Sequence, residues 1–441
     1  MIIRQSNGLM TRTLSNLSGQ EGFSRKLSGN YFRVSIGIFS FFLLLSLLKV
    51  GNYTLDETVF HYPNLLNFYN NGWDALYNDH YSAANTPLPY FIVAILAKLF
   101  SPSLALARIA TALISFATFL IFVRLLESYA VSKYFSFSIL LYPYFFVNAF
   151  VFYAINYGLF FLALALWIWR KTEKEKRGSL SGEFLTGLSF SMAVLCQQFF
   201  IVIPIAIIAY RGVSFLIAKE MHRRQSFQQL CLSNLLLAIP LLLPISLFIY
   251  WGGLTHPNFR GHSLAFYPST VVAILFVTGF YFSPYIFFRR KKIKPVEAIA
   301  SLFLSILLVM VFKPIFSDFQ GPGLFTGLVF HLITIPGKIE PFITSLLMTG
   351  LTTLGILVFV ELVKSLKSRS DFTLITVVAF LILAYSFNTQ IGERHLSGLM
   401  MILFLLLLPR MKETGWLYPV AMTIAGIGYF LYWYFFKFSG A

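Results

Sequence analysis

The chain has 441 residues, of which 57% are hydrophobic and only 12% are charged. Soluble domains carry about 25% charged residues, so this composition excludes a soluble globular fold. The net charge of +17 does not indicate a nucleic-acid partner, because the basic residues cluster in short loops between apolar stretches.

The first 32 residues are predicted to form a basic cytoplasmic tail, with Glu21 as the single acid. Organellar transit peptides have a similar composition, but no small-x-small cleavage site follows the first apolar run, which is interpreted as the first membrane span. Apolar stretches of helical length recur up to residue 435. Residues 33–441 are therefore predicted to form a single transmembrane domain.

The basic clusters predict the topology. They lie at 25–33, 124–133, 170–177, 211–224, 289–294, 364–369 and 410–412. Placing all of them in the cytoplasm gives an all-α polytopic membrane protein with about 13 transmembrane helices, including one at 134–149. The run 88–100 is shorter than the ~20 residues of a perpendicular span, so we expect a half-inserted or surface helix on the external side.

The loops rich in His, Asp, Trp, Arg and Asn then fall on the external face. They are 51–103, 251–268, 313–323 and 388–395. These residue types perform chemistry and bind sugars, so the functional surface is predicted to be extracytoplasmic, with 51–103 as the catalytic loop.

In the segment "YTLDETVFHYP", Asp56 stands beside Glu57 directly after the first span. Partial desolvation and a like-charged neighbour both raise the pKa of a carboxyl group, so we expect a raised pKa for Asp56. A carboxylate of that kind is suited to general-base catalysis. The alternative is structural, because an acid in the first turn stabilises the helix predicted to begin near residue 58.

The loop after residue 250 offers Trp251, His256, Arg260 and His262 within twelve positions. An aromatic face with hydrogen-bonding neighbours suits a sugar ring, although Trp is also common in interfacial belts. Gln198 lies within an apolar segment, where an amide either bonds between helices or faces a cavity.

Arg394 and His395 lie at an external span boundary. A guanidinium there can bind a phosphate in bidentate fashion. The alternative is an interfacial anchor with Glu393 as the salt-bridge partner of Arg394.

Together these motifs resemble the GT-C superfamily of membrane glycosyltransferases, and most of all the dolichyl-phosphate-glucose α-1,2-glucosyltransferase family. The family patterns D-E-x-F-H-x-P-Q, W-D and T-x-P-x-x-Y have counterparts in Asp56, Glu57, Phe60, His61, Pro63, Trp73, Asp74, Thr86, Pro87 and Tyr90. The stretches "AVLCQQFFIV", "YWGGLTHPNFRGHSLAFYP" and "GERHLSG" are similar to later family motifs and occur in the same order. The chain departs from the pattern by an extra residue before Phe60 and by Gln197 in place of an arginine. It also lacks the long polar insertions of the eukaryotic members, which indicates a bacterial or divergent member.

The resemblance implies a GT-C fold with amphipathic juxtamembrane helices in the first external loop. It also implies inverting transfer of a hexose, glucose in the family, from a polyprenyl-phosphate donor to a lipid-linked glycan or other extracytoplasmic acceptor. Asp56 would be the catalytic base, and Glu57 would orient it or bind the acceptor. The implied substrate-binding residues are His61, Trp73, Gln198, Trp251, His256, Arg260, His262, Arg394 and His395.

No metal and no cofactor are expected, and the expected partners are the two substrates and the bilayer, without nucleic acid. The predicted location is the bacterial inner membrane with the site facing the periplasm or exterior, or the endoplasmic reticulum with a luminal site in a eukaryote. The acidic pair does not distinguish a glucosyltransferase from a protein O-mannosyltransferase or an aminoarabinose transferase. A transporter or flippase is a further alternative, against which the chain shows no internal repeat and no paired Gly/Pro-interrupted spans.

Overall fold

The structure is a computed structural model of the chain. It describes residues 31–49, 54, 56–81, 83–129, 131–174, 179–217, 223–259, 265–312, 315–316, 324–326, 328–329, 332, 341–387, 390–411, 414–415 and 417–437. Two predicted substrate-binding residues, Arg260 and His262, lie outside the described residues, as do residues 1–30 of the predicted tail.

The described part of the chain is built almost entirely from helices. In chain order they are α1 Tyr31–Leu48, α2 Tyr62–Asn71, α3 Leu88–Phe100, α4 Leu104–Ser128, α5 Phe137–Leu140, α6 Pro143–Asn148, α7 Ala154–Lys174, α8 Leu180–Val194, α9 Val202–Ile217, α10 Arg223–Ala238, α11 Leu242–Trp251, α12 Pro268–Arg289, α13 Pro295–Val311, α14 Pro341–Lys364, α15 Arg369–Ser386, α16 Ser397–Leu407 and α17 Leu417–Tyr432. A π-helical turn, Glu57–His61, leads into α2.

Seven helical segments of the described chain are long and apolar enough to cross a bilayer. They are Tyr31–Leu48, Leu104–Ser128, Gln198–Ile217, Phe227–Trp251, Pro268–Lys292, Phe342–Lys364 and Arg369–Ser386. The predicted class, an all-α polytopic membrane protein, is confirmed. The number of about 13 spans is compatible with the additional shorter helices and stays a prediction.

Two segments show how local sequence shapes the helices. The predicted span at 134–149 is not one helix, because α5 ends before Pro143 and α6 begins there. Proline has no N–H and disfavours the helical region for the preceding residue, and Tyr142 accordingly has φ −57° and ψ 122°. The predicted helix 88–100 forms with the same bounds, and its depth in the bilayer stays a prediction.

Three short strands form one small parallel sheet, which the sequence analysis did not predict. They are β1 Ile315–Phe316, β2 Leu324–Thr326 and β3 Gln390–Gly392, in the order β1-β2-β3. The register pairs Leu324 with Gln390 and Thr326 with Gly392. The sheet therefore places the segment after β2 beside the turn that precedes α16.

Polar contacts sort the loops into the same two groups that the basic clusters predicted. Loops of the predicted cytoplasmic group contact each other: Lys174 Nζ donates to Ser128 O at 3.0 Å, Arg170 to Ser370 Oγ at 2.7 Å and Arg410 to Asp371 at 2.8 Å. The external group also pairs within itself: Gln198 Nε2 donates to Ala84 O at 2.9 Å and Asn258 Nδ2 to Asp79 O at 2.8 Å. The two groups thus gather separately, and which group faces the cytoplasm stays a prediction.

Helices α12 and α14 approach each other closely at two glycines. A Cβ atom added to Gly279 would lie 1.9 Å from Leu351 O, and one added to Gly355 would lie 2.0 Å from Leu275 O. Neither position tolerates a side chain without separation of the backbones. Small residues of this kind allow close helix packing in membranes, where burial of apolar surface gives no advantage over lipid.

We expect Gly279→Ala to lower the free energy of unfolding by about 1–3 kcal/mol, because overpacking forces the two backbones apart. The matched control is Gly350→Ala on α14, where an added Cβ meets no atom within 4 Å. Alanine is favoured over glycine in a helix by about 0.5–1 kcal/mol, so the control should be neutral or slightly stabilising. Thermal unfolding of the purified protein in detergent measures both. Equal midpoints for the two variants would contradict the close approach.

Candidate functional site

A buried ion pair joins Glu57 to Arg108. Arg108 Nε lies 3.0 Å from Glu57 Oε1 and Nη2 lies 2.8 Å from Oε2, so the contact is bidentate. Both side chains are 0% exposed. Removing one partner of such a pair strongly destabilises the folded protein, because it leaves an uncompensated charge in an apolar environment.

The same pair ties together the backbone around the first external turn. Arg108 Nη1 donates to the carbonyl oxygens of Ser46 at 2.9 Å and of Lys49 at 3.2 Å, at the end of α1. The backbone N–H groups of Thr54 and Phe152 donate to the Glu57 carboxylate at 3.1 and 2.9 Å. Both oxygen atoms of the Glu57 carboxylate therefore accept hydrogen bonds from groups of the protein.

Asp56 faces a different set of groups. Its Oδ2 accepts hydrogen bonds from Arg394 Nη1 and from the Tyr153 hydroxyl, and Arg394 Nη1 also lies 3.0 Å from that hydroxyl. The Arg394 guanidinium carbon lies 5.2 Å from the centre of the Tyr153 ring. The side chains of Arg394 and Asp56 are 24% and 12% exposed, so this pair is open to a ligand in a way that the Glu57 pair is not. Although Asp56 occupies the N-cap position of the π-helical turn, its side chain makes no capping hydrogen bond.

The prediction that the pKa of Asp56 is raised is wrong. Burial raises the pKa of this carboxyl group, but the charge of Arg394 and the hydrogen bond from Tyr153 outweigh burial. The resulting pKa is about 2. Repulsion by Glu57, which was expected to raise the pKa, is opposed by the bidentate contact of Glu57 with Arg108.

The structure brings His61 into the same cluster. Its side chain is buried, its Nδ1 lies 2.8 Å from the Tyr90 hydroxyl, and its ring centre lies 5.0 Å from that of Tyr153. Burial disfavours the imidazolium and lowers the pKa of His61 to about 4. Burial and the neighbouring Arg394 likewise lower the pKa of His395 to about 3. Both imidazoles are therefore neutral near pH 7.

A line of aromatic rings connects His61 to the loop after α11. The Tyr90 ring centre lies 6.2 Å from that of Tyr81, which lies 5.7 Å from Trp251 and 5.1 Å from His256. Trp251 is buried, and its Nε1 has no hydrogen-bond partner among the described residues. The predicted residues Trp251 and His256 are thus linked through tyrosines to the loop that carries Asp56.

Gln198 and Trp73 occupy different surroundings. Gln198 is buried and donates to Ala84 O, while its Oε1 has no partner in the described part of the chain. Trp73 is 59% exposed and its ring centre lies 4.2 Å from that of Phe91. The described contacts of Trp73 do not bring it into the cluster around Asp56.

Glu393 does not pair with Arg394 as the anchoring alternative required. Its carboxylate is 0% exposed and accepts hydrogen bonds from the hydroxyls of Tyr144 at 3.1 Å and Tyr281 at 2.9 Å and from the N–H of Val329 at 3.1 Å. Burial raises the pKa of Glu393 to about 7, although these hydrogen bonds lower it in part. Glu393 thus fixes the turn that presents Arg394.

Two residues of the site, Arg108 and Tyr153, were missed by the sequence analysis. Arg108 had a sequence signal, because a lone arginine in an apolar helix needs a buried partner. Tyr153 had none, since its partners come from distant segments. Glu393 was named only as a salt-bridge partner of Arg394, and its burial against Tyr144 and Tyr281 had no signal in the local sequence. Within the described residues no group of three or more His, Cys, Asp and Glu side chains could hold a metal ion.

No family model matches the chain, and no curated protein matches it. Among solved structures it is similar to ArnT from Cupriavidus metallidurans in the apo state, with a TM-score of 0.43, and to the same protein bound to undecaprenyl phosphate, with a TM-score of 0.42. The identity is 13% in both cases, over 91% and 93% of this chain and 77% of the ArnT chain.

We expect Arg108→Met to lower the free energy of unfolding by about 3–5 kcal/mol, because Glu57 is left buried without its counter-charge. The double variant Glu57→Gln/Arg108→Met should regain a large part of that loss. Arg124→Met is the matched control, since Arg124 is 73% exposed and surface pairs contribute about 0–1 kcal/mol. Thermal unfolding in detergent distinguishes the cases, and a double variant no more stable than Arg108→Met would refute the coupling.

Because the pKa of Glu393 is raised, we expect the free energy of unfolding to depend on pH. Its folded-state pKa of about 7 exceeds the ordinary value of 4.5, so the folded state binds the proton more tightly. The stabilisation is complete below pH 4.5 and is lost as pH rises through about 7. Glu393→Gln, which imitates the protonated form, should flatten this slope of the unfolding midpoint between pH 5 and pH 8. Glu127→Gln, at a side chain 42% exposed, should keep it, and an unchanged slope in Glu393→Gln would sink the assignment.

Proposed function

We propose that the protein is an inverting glycosyltransferase of the GT-C type that moves a sugar from a polyprenyl-phosphate donor to a hydroxyl group of a lipid-linked glycan or other acceptor. The observation that carries this proposal is the meeting of Asp56, Tyr153 and Arg394. These residues come from three distant segments. They form a partly open site that contains both an acid and a guanidinium.

The proposed reaction uses these groups in a single displacement. Asp56 accepts the proton of the acceptor hydroxyl while the hydroxyl oxygen bonds to the anomeric carbon. The bond between that carbon and the donor phosphate oxygen breaks, and polyprenyl phosphate leaves with the electron pair. Arg394 stabilises the charge on the departing phosphate. One displacement without a covalent sugar–enzyme intermediate inverts the anomeric configuration.

We assign Glu57 the role of a positioning residue. Of the two roles predicted for it, orienting Asp56 agrees with its geometry, because its carboxylate is fully buried and is filled by Arg108 and two backbone N–H groups. An acceptor hydroxyl would have to displace one of these partners. Arg108 therefore belongs to the same positioning unit.

We further propose that substrate hydroxyls bind near Gln198 and Trp251. Each carries a buried polar atom without a partner in the described part of the chain, Oε1 in Gln198 and Nε1 in Trp251. Buried polar atoms are rarely left unpaired, and a sugar offers both donors and acceptors. His256, His61 and His395 would line this region, while Arg260 and His262 keep their proposed binding role from the sequence alone.

The finer identity rests on the sequence motifs. We propose a hexose, glucose in the family that the chain resembles, as the transferred sugar, and an extracytoplasmic site. The motif around Asp56, Glu57 and His61 supports the donor class, and the basic loops support the orientation. Protein O-mannosyltransferase and aminoarabinose-transferase chemistry would use the same base and the same cation.

Asp56→Asn should lower turnover by roughly 10²–10⁴-fold, because the amide keeps the size of the side chain but cannot accept a proton. Transfer from a labelled polyprenyl-phosphate hexose by purified protein measures the rate, and NMR of the product gives its anomeric configuration. Asp79→Asn removes an exposed acid of the same loop and should keep the wild-type rate. Transfer at that rate by folded Asp56→Asn, or a retained configuration, would refute the mechanism.

A further inference from the structure

Arg394 is already engaged by protein groups at the site. Its Nη1 carries two protons, and these are directed to the Asp56 carboxylate and to the Tyr153 hydroxyl. A guanidinium holds a phosphate best through a fork of two adjacent N–H groups. The fork between Nη1 and Nη2 becomes available only when one of the two protein partners is released, whereas a phosphate held by the fork between Nε and Nη2 would leave Asp56 in place.

Asp56 is the partner that a phosphate can replace. Both are anions that accept charge-assisted hydrogen bonds, whereas Tyr153 is a neutral hydroxyl. The Arg394 side chain is 24% exposed and Asp56 is 12% exposed, so a ligand can reach the pair from solvent. The Glu57–Arg108 pair, with both side chains at 0%, has no such access.

We propose that the donor phosphate displaces Asp56 from Arg394, so that donor binding releases the catalytic base. This inference rests on the proposed function. It predicts an order of binding, because the acceptor hydroxyl finds a free carboxylate only after the donor has bound. Tyr153 would keep its hydrogen bond to Asp56 and hold the released carboxylate in place.

The electrostatics of the pair agree with this sequence of events. While paired, Asp56 has a pKa of about 2 and is a weak base. Loss of the contact with Arg394 weakens the largest influence that lowers its pKa, and the arriving phosphate adds a negative charge that raises it. His61, which also faces Asp56, has a pKa of about 4 and is neutral near pH 7.

The experiment is a double-mutant cycle on phosphate binding, which needs no turnover. Undecaprenyl phosphate in detergent is the probe, and its dissociation constant is measured by the change in tryptophan fluorescence at pH 7. Asp56→Asn should bind it about 10-fold more tightly than the wild type, because the competing anion is gone. Arg394→Gln should bind it at least about 10-fold more weakly, since the fork is lost.

The double variant decides the mechanism. If Asp56 acts through Arg394, then Asp56→Asn/Arg394→Gln binds like Arg394→Gln, within about 3-fold. Simple repulsion between Asp56 and the phosphate would instead preserve the strengthening in the Arg394→Gln background. Asp79→Asn removes the same charge from an exposed position of the loop and should leave the dissociation constant unchanged.

The outcomes separate this inference from the function on which it rests. Wild-type protein that shows no saturable binding of undecaprenyl phosphate refutes both. Binding by the wild type with an equal or weaker affinity in Asp56→Asn overturns only the displacement of Asp56, as does strengthening that persists without Arg394. If Asp56→Asn does not elute as a folded species, Asp56→Ser provides the same comparison with a smaller neutral side chain.

Discussion

The buried contact between Glu57 and Arg108 is the constraint on which the site depends. Two charged side chains with 0% exposure must pair, because an unpaired buried charge is strongly destabilising. This requirement fixes how the π-helical turn Glu57–His61 packs against α4. The arginine also donates to the carbonyl oxygens of Ser46 and Lys49 around the end of α1, and the carboxylate accepts from the N–H of Phe152. Asp56 directly precedes Glu57 in the chain, so its position opposite Tyr153 follows from the anchoring of Glu57.

Asp56 and Glu57 are adjacent acids whose charges repel each other. Each carboxylate has its own arginine, Arg108 for Glu57 and Arg394 for Asp56. The first pair is closed to solvent and bidentate, whereas the second is partly exposed and shares Arg394 with a tyrosine. The same local charge pattern therefore yields one structural pair and one pair that can exchange partners.

The helical class, the helix at 88–100 and the grouping of the loops could be predicted, because they follow from hydrophobic runs and basic clusters in local sequence. The contacts that shape the site could not, since they join Glu57 to a residue 51 positions away and Asp56 to residues 97 and 338 positions away. The contacts that lower the pKa of Asp56 could not be predicted for the same reason, because they come from residues far away in the chain. Burial was foreseen from the sequence, but the partner that outweighs it is set by tertiary packing.

Twice in the site, a buried acid stands next to a partly exposed residue of the site: Glu57 next to Asp56, and Glu393 next to Arg394. Glu393 is buried against Tyr144, Tyr281 and the N–H of Val329, while the adjacent Arg394 reaches the site. Successive residues of a turn point in different directions, so one can be held inside the protein while the next stays accessible. With both turns anchored by buried contacts, Asp56 and Arg394 are brought within hydrogen-bond distance of each other. The anchoring contacts of Glu57 and Glu393 do not involve the groups through which Asp56 and Arg394 would bind a substrate.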